Sequence, residues 1–204
     1  MISYNEFKPI SLTPDIPLTV AKENRNKEEI RKWCRQYTLI SDADQKIWAE
    51  KIVNDPTIKM FSVEQKFQHV GVCGFTSIDH HNCSAEFSLY ISPEYQKRGF
   101  GELALKTLVK HGFEDWGFKR IWGEVFEANP AMTMFKEVGF MEEGWLRSTY
   151  FKKGKWINSC IISMIDKDFF WRTYATANYT DFPGNTGDEP DGDSARHVQY
   201  MEKD

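Results

Sequence analysis

The sequence predicts an α/β (α+β) domain, a mixed sheet with helices packed on it. Three observations carry that expectation. Short apolar-alternating runs cluster between residues 58 and 91, strands and helices alternate only in the second half, and a long amphipathic run follows a glycine-rich loop. The expected order is strand, two helices, three strands, helix, strand, helix, two strands.

The segment "IPLTVAKEN" is read as a first short strand. In "NKEEIRKWCRQY", Ile30, Trp33, Cys34 and Tyr37 recur at helical spacing. "SDADQKIWAEKIV" reads as a second helix, with Ser41 as N-cap, Asp44 at the capping-box position, and Ile47, Trp48, Ile52 and Val53 as its apolar stripe. "IKMFSVEQ" and "HVGVCGFTSID" read as a hairpin. "AEFSLYIS" alternates, with Ala85, Phe87, Leu89 and Ile91 on one face and Glu86, Ser88 and Tyr90 on the other. The helix after the loop runs to about Trp116. Its buried face holds Leu105, Leu108, Val109, Gly112 and Phe113, and Glu102, Lys106, Lys110 and Glu114 line the outside. "RIWGEVF" is the next strand. "NPAMTMFKEVGF" is a short helix, with Asn129 as N-cap and Gly139 at its exit. "MEEGWLRSTYF" and "WINSCIISMI" close the sheet around a turn at Gly154, in which "KKGK" reads as a solvated basic cluster.

The domain is expected over residues 1–165. Residues 166–204 read as a short helix, "DKDFFWRTYA", and a flexible tail rich in Gly, Pro, Asp and Glu that cannot repay its ordering entropy.

The chain has 204 residues, 41% of them hydrophobic, enough for a sizeable core. No apolar run reaches the length of a membrane span, and "MISYNEFKPISLTPD" lacks a signal-peptide pattern. A cytoplasmic location with free thiols at Cys34, Cys73, Cys83 and Cys160 is expected. The net charge of -4 argues against nucleic acid as the main partner, and no metal is expected. The His80-His81 pair lies in a turn, without an acidic or cysteine partner at a useful spacing.

The loop is "QKRGFGELA", residues 96–104. Its G-x-G-x-x-A spacing matches a dinucleotide fingerprint, which would make the chain a nucleotide-binding oxidoreductase. Seven residues separate strand from glycine, however, and no second βαβ half follows. A bare turn is a second reading. The favoured third reading is an anion cradle at a helix N-terminus, with Lys97 and Arg98 adding positive charge. No G-K-[ST] follows, so it is not an ATP P-loop.

Q-x-x-G-x-G at a strand-to-helix junction, preceded by "LYISPEY" and followed by "IWGEVFEANPAMTMFKEVGF", resembles the acetyl-CoA signature of the GNAT N-acetyltransferases. The helix pair near residues 24–52 is similar to the branch acting on ribosomal-protein N-termini, polyamines and amino sugars. The resemblance covers about residues 18–165.

It implies a mostly antiparallel central sheet and direct acetyl transfer from acetyl-CoA, as co-substrate, to a primary amine in a ternary complex. The loop residues Gln96, Lys97, Arg98, Gly99, Phe100, Gly101 and Glu102 would hold the coenzyme A pyrophosphate. The backbone of Leu89, Tyr90 and Ile91 would pair with the pantetheine arm and polarise the thioester. Asn129 and Phe135 fall at further cofactor-facing positions. Glu124, five residues before Asn129, is the first choice of general base and Glu86 the second.

The usual acid is a tyrosine where this chain has Phe135, which has no proton to give. Tyr90, Tyr95 and Tyr150 are candidate replacements. A non-catalytic acyl-CoA-binding module is the alternative that this departure raises. Acceptor walls are expected from residues 31–48 and 145–155. The acceptor stays open among amino sugar, peptide N-terminus and polyamine, with a slight tilt to the first. The chain is compatible with a homodimer.

Overall fold

The computed structural model describes residues 11–174. Its elements are β1 (Ser11–Thr13), α1 (Leu18–Asn26), α2 (Glu28–Arg31), α3 (Asp42–Asn54), β2 (Lys59–Gln65), β3 (Gln68–Asp79), β4 (Ser84–Ile91), a 3-10 turn at Pro93–Tyr95, α4 (Phe100–Glu114), β5 (Arg120–Phe126), α5 (Ala131–Val138), β6 (Met141–Lys152), β7 (Lys155–Ile165) and α6 (Asp166–Tyr174). One seven-stranded sheet has the order β1-β2-β3-β4-β5-β7-β6. Every neighbouring pair is antiparallel except β4 with β5.

Alternation along the strands sends successive side chains to opposite faces. Cys73, Phe75, Ala85, Phe87, Ile121 and Val125 pack with Leu105, Leu108 and Val109 of α4, Phe135 of α5 and Phe169 of α6 in the larger core. On the other face, Met60 and Val72 meet Ala21 of α1 and Trp48 and Ile52 of α3. α6 lies past the expected boundary at 165 yet belongs to the same core: Phe169 stacks on Phe113 with centroids 5.1 Å apart. The acidic tail lies outside the described residues.

Several local expectations hold for physical reasons. Ser41 and Asp44 form the reciprocal capping box of α3. Lys106 pairs with Glu102 and Lys110 with Glu114 on the outer face of α4. Lys153 (φ 49°) and Gly154 (φ 77°) make the two-residue turn whose twist suits the β6–β7 hairpin.

Four expectations are corrected. "IPLTVAKEN" is not a strand: α1 starts after Pro17 and buries Ala21 and Asn24, and the first strand lies upstream. The helix expected from "NKEEIRKWCRQY" stops at Arg31; Arg31 then donates to the Tyr37 carbonyl (3.1 Å), so a loop follows. On α3, Ile47 and Val53 are exposed (65% and 81%), and only Trp48 and Ile52 of the expected stripe meet the sheet. Lys152 is not a solvated turn residue but is buried, with Nζ donating to the Lys32 carbonyl (3.3 Å) and, very closely, to that of Cys34.

Candidate active site

The parallel ladder between β4 and β5 holds only three pairs, Ser84 with Arg120, Ala85 with Ile121 and Glu86 with Trp122. Beyond them the strands part. A Cβ at Gly123 would lie 2.4 Å from the Phe87 ring, so that ring occupies the space a side chain would need. Glycine at 123 lets a large aromatic wedge in where the ladder ends. Leu89, Tyr90 and Ile91 remain bonded to β3 on one edge, in register with Cys73, Val72 and Gly71. Their other edge has no β5 partner, and its polar backbone groups face the opening.

At one end of that opening stands the glycine loop. Gln96 Nε2 donates to the Ile91 carbonyl (2.9 Å), tying the loop to the end of β4. Gly99 starts α4 at φ 84°, a left-handed conformation that costs a side chain about 1 kcal/mol or more. Among the described residues no side chain caps α4, so the leading N–H groups of Gly99, Phe100, Gly101 and Glu102 present partial positive charge. A Cβ at Gly101 would meet Ile91 and Met134 only at ordinary distances of 3.6 and 3.8 Å. The protein's own packing does not demand glycine there. The open space suits a ligand approaching the backbone, and the cradle fits a diphosphate.

Individual loop side chains divide their roles. Lys97 and Arg98 are exposed, and the Arg98 guanidinium lies over the rings of Tyr95 and Phe100. Phe100 is 1% exposed and anchors the helix, leaving only its N–H for a ligand. The Glu102 side chain is turned to Lys106. Asn129 Oδ1 accepts the Ala131 N–H (3.0 Å), but the N-cap of α5 is Pro130, one residue after the Asn129 expected there. Phe135 is buried edge-on against Phe87, 5.3 Å between centroids, as part of the core.

On the sheet face that carries α1 to α3, the two expected carboxylates come together. Glu124 is held by three donors from other elements: Tyr150 Oη donates to Oε2 (2.8 Å), Ser159 Oγ to Oε1 (2.6 Å), and Arg35 Nε lies 3.5 Å from Oε2. Glu86 is 3% exposed and forms an ion pair with the same Arg35 guanidinium; Thr76 Oγ1 adds a long contact of 3.4 Å. One cation thus bridges both carboxylates. An irregularity in β6 aims Tyr150 here. Leu146 pairs with Ser159 and Tyr150 with Ile157, so β6 carries two extra residues, with Ser148 at φ 52°. Burial, and then the hydrogen bond and charge of Glu124, push the Tyr150 hydroxyl above its ordinary value, and the charge of Arg35 opposes this. It therefore stays protonated and donating at neutral pH.

The other candidate tyrosines are placed elsewhere. Tyr90 Oη lies beneath α1 and donates to the Ala21 carbonyl (3.3 Å), and burial drives its pKa far upward. It is a packing residue, not an acid. Tyr95 packs against Phe100 in the 3-10 turn.

Arg35 and Ser159 went unread in the sequence. Arg35 falls in a segment whose apolar spacing predicts helix. Ser159 left a trace as a polar residue among apolar ones on β7. Among the described residues no group of three or more His, Cys, Asp or Glu side chains is placed to hold a metal, and no helix is long and apolar enough to cross a membrane.

The profile of the acetyltransferase (GNAT) family matches residues 26–140. Spermidine N(1)-acetyltransferase of Vibrio cholerae is 27% identical over 135 residues, 65% of this chain and 78% of that protein. The spermidine N-acetyltransferase structure from Vibrio cholerae with CoA and spermine superposes with a TM-score of 0.73 at 23% identity, covering 79% of this chain and 98% of that one. A dodecameric structure of spermidine N-acetyltransferase from Vibrio cholerae, in an intermediate state, gives 0.70 at 21% identity, covering 80% and 98%. The opening between β4 and β5, the cradle at its end and the family match agree, and the chain belongs to the GNAT family of acetyltransferases.

Proposed function

We propose that this acetyl-CoA-dependent N-acetyltransferase acts on the primary amine of a small polycation, with Glu124 as general base. The observation that carries the proposal is Glu124 on β5, held by Tyr150 and Ser159 beside the parted strands. The polyamine class rests on the relatives named above and on two carboxylates, Glu86 and Glu124, that one guanidinium bridges. It differs from the slight tilt toward amino sugars read from the sequence.

In this reading the N–H groups at the start of α4 hold the pyrophosphate of acetyl-CoA, with Lys97 and Arg98 at its rim. The free edge of Leu89, Tyr90 and Ile91 bonds the pantetheine arm. Asn129 borders the arm. Phe135 supports the floor through Phe87 and moves no proton. An acceptor amine with a pKa near 10 is neutral in about one molecule in a thousand at pH 7. Glu124, directly or through one water, takes the proton that the ammonium must lose. The amine nitrogen bonds to the acetyl carbon, gives up its second proton to solvent, and the C–S bond breaks. The departing thiolate has a pKa near 8.5 and leaves without an acid, taking its proton from water. Tyr150 and Ser159 fix the carboxylate's orientation.

Acetyl-CoA as co-substrate suits a cytoplasmic location. The exposed Trp145, Leu146, Phe151 and Trp156 on the outer hairpin suit self-association. Thiol release from acetyl-CoA across mono-, di- and polyamines, amino sugars and peptides tests the reading, with mass spectrometry of the product. A polyamine product carrying one added acetyl group is expected. Transfer confined to amino sugars or peptides would overturn the polyamine assignment.

A further inference from the structure

Glu86 and Glu124 together carry two negative charges, and the described structure sets one guanidinium between them. The two carboxylates differ in what else they have. Glu124 has the hydroxyls of Tyr150 and Ser159. Glu86 is 3% exposed, and among the described residues its carboxylate has, besides Arg35, only the long contact from Thr76. An ionised carboxylate at that depth is costly unless a cation or strong donors face it.

Arg35 is poorly placed to be a permanent structural partner. Its side chain is 47% exposed, whereas those of Glu86 and Glu124 are 5% and 9% exposed. The carboxylates stand on sheet strands, but Arg35 stands in the loop between α2 and α3. That loop is pinned by other residues. Lys152 holds the carbonyls of Lys32 and Cys34, and Arg31 holds that of Tyr37. The Arg35 side chain can swing outward to solvent while the loop stays docked.

An acceptor whose chain runs past Glu124 toward Glu86 meets this guanidinium, which lies 3.5 Å from Glu124 Oε2 through Nε and pairs with Glu86. Moving Arg35 aside leaves Glu86 without its cation. The attacking nitrogen cannot replace it, since that nitrogen must lose its proton to react. Only an acceptor bearing a second, permanently protonated nitrogen restores the balance.

We infer that Arg35 is a resident stand-in for the second ammonium of the acceptor, displaced when a di- or polyamine binds, and that Glu86 is the carboxylate that recognises that second nitrogen. Arg35 thereby competes with the second ammonium for Glu86, and a monoamine, which brings no second ammonium, does not have to displace it. This inference rests on the polyamine reading above.

Calorimetric titration of spermidine and of butylamine into the wild type and Arg35→Ala, without acetyl-CoA, tests it, with thiol release measured on the same proteins. If the paired state holds about nine-tenths of the molecules, its removal tightens spermidine about tenfold, while butylamine stays within about twofold. Glu86→Gln is expected to weaken spermidine and to abolish the effect of Arg35→Ala in the double variant. Where Arg35→Ala does not fold by circular dichroism, Arg35→Gln replaces it. Unchanged or weaker spermidine binding, or an equal gain for both amines, overturns the inference. Absence of thiol release with every amine overturns the catalytic reading instead, and the titrations still decide the role of Arg35.

Discussion

The two ends of the opening between β4 and β5 are built from different material. The proposed cofactor end is backbone: N–H groups at the start of α4 and the free edge of β4, contributed by one stretch of chain from 89 to 102. The proposed acceptor end is side chain: Arg35, Glu86, Glu124, Tyr150 and Ser159, drawn from five separate segments. The difference has a consequence for substitution. A backbone cradle tolerates most changes of side chain and fails when glycine is lost, whereas a side-chain cluster is rebuilt by single substitutions. One family can therefore keep a common cofactor while its acceptors diverge.

The contrast can be tested from both ends. Gly101→Asp places a carboxylate in the cradle, although a Cβ alone would fit. The expected result is a folded protein with acetyl-CoA affinity about a hundredfold weaker, from like-charge repulsion, and acceptor binding unchanged; calorimetry with each ligand checks both. Gly123→Val acts on the wedge between the two ends. Its Cβ meets the Phe87 ring at 2.4 Å, and overpacking of this kind costs about 1–3 kcal/mol, read as a lower denaturation midpoint together with loss of both functions.

Tyr150→Phe acts on the acceptor end alone. It removes one donor to Glu124, at a cost of about 1.5 kcal/mol or roughly tenfold in turnover, and leaves the KM for acetyl-CoA unchanged. The same hydroxyl carries a pH signature. Its folded pKa is raised, so its contribution to stability is fully present below the ordinary tyrosine value near 10 and is lost as pH rises through the folded value. Alkaline unfolding of Tyr150→Phe should lack that loss. Ser41→Ala, remote from both ends, removes the capping box of α3. It should cost about 1 kcal/mol of stability with no change in either KM.

The same division decided what could be read before the structure. The loop, the strand before it and the α5 segment are local patterns, so their chemistry lies in consecutive residues. The capping box at Ser41 and the turn at Gly154 are legible for the same reason. Glu86 and Glu124 could be named because they sit at fixed offsets from those local patterns. Arg35 and Ser159 could not, since only the register of β5 on β7 and the end of α2 at Arg31 bring them together. The apolar residues Ile47 and Val53 mimicked a buried stripe because helical period reports a face without reporting whether that face is covered. Lys152 misleads in the opposite way: its ammonium lies over the Phe126 ring, 4.1 Å from the centroid, and reaches two carbonyls.

The central claim is that Glu124 takes the acceptor's proton. The direct measurement is the pH dependence of kcat/KM for a polyamine acceptor in the wild type and in Glu124→Gln, at saturating acetyl-CoA. At pH 7 Glu124→Gln is expected to fall by about a hundredfold or more and to recover as pH rises and the free amine accumulates, moving the optimum upward. Superimposable profiles at every pH would contradict it.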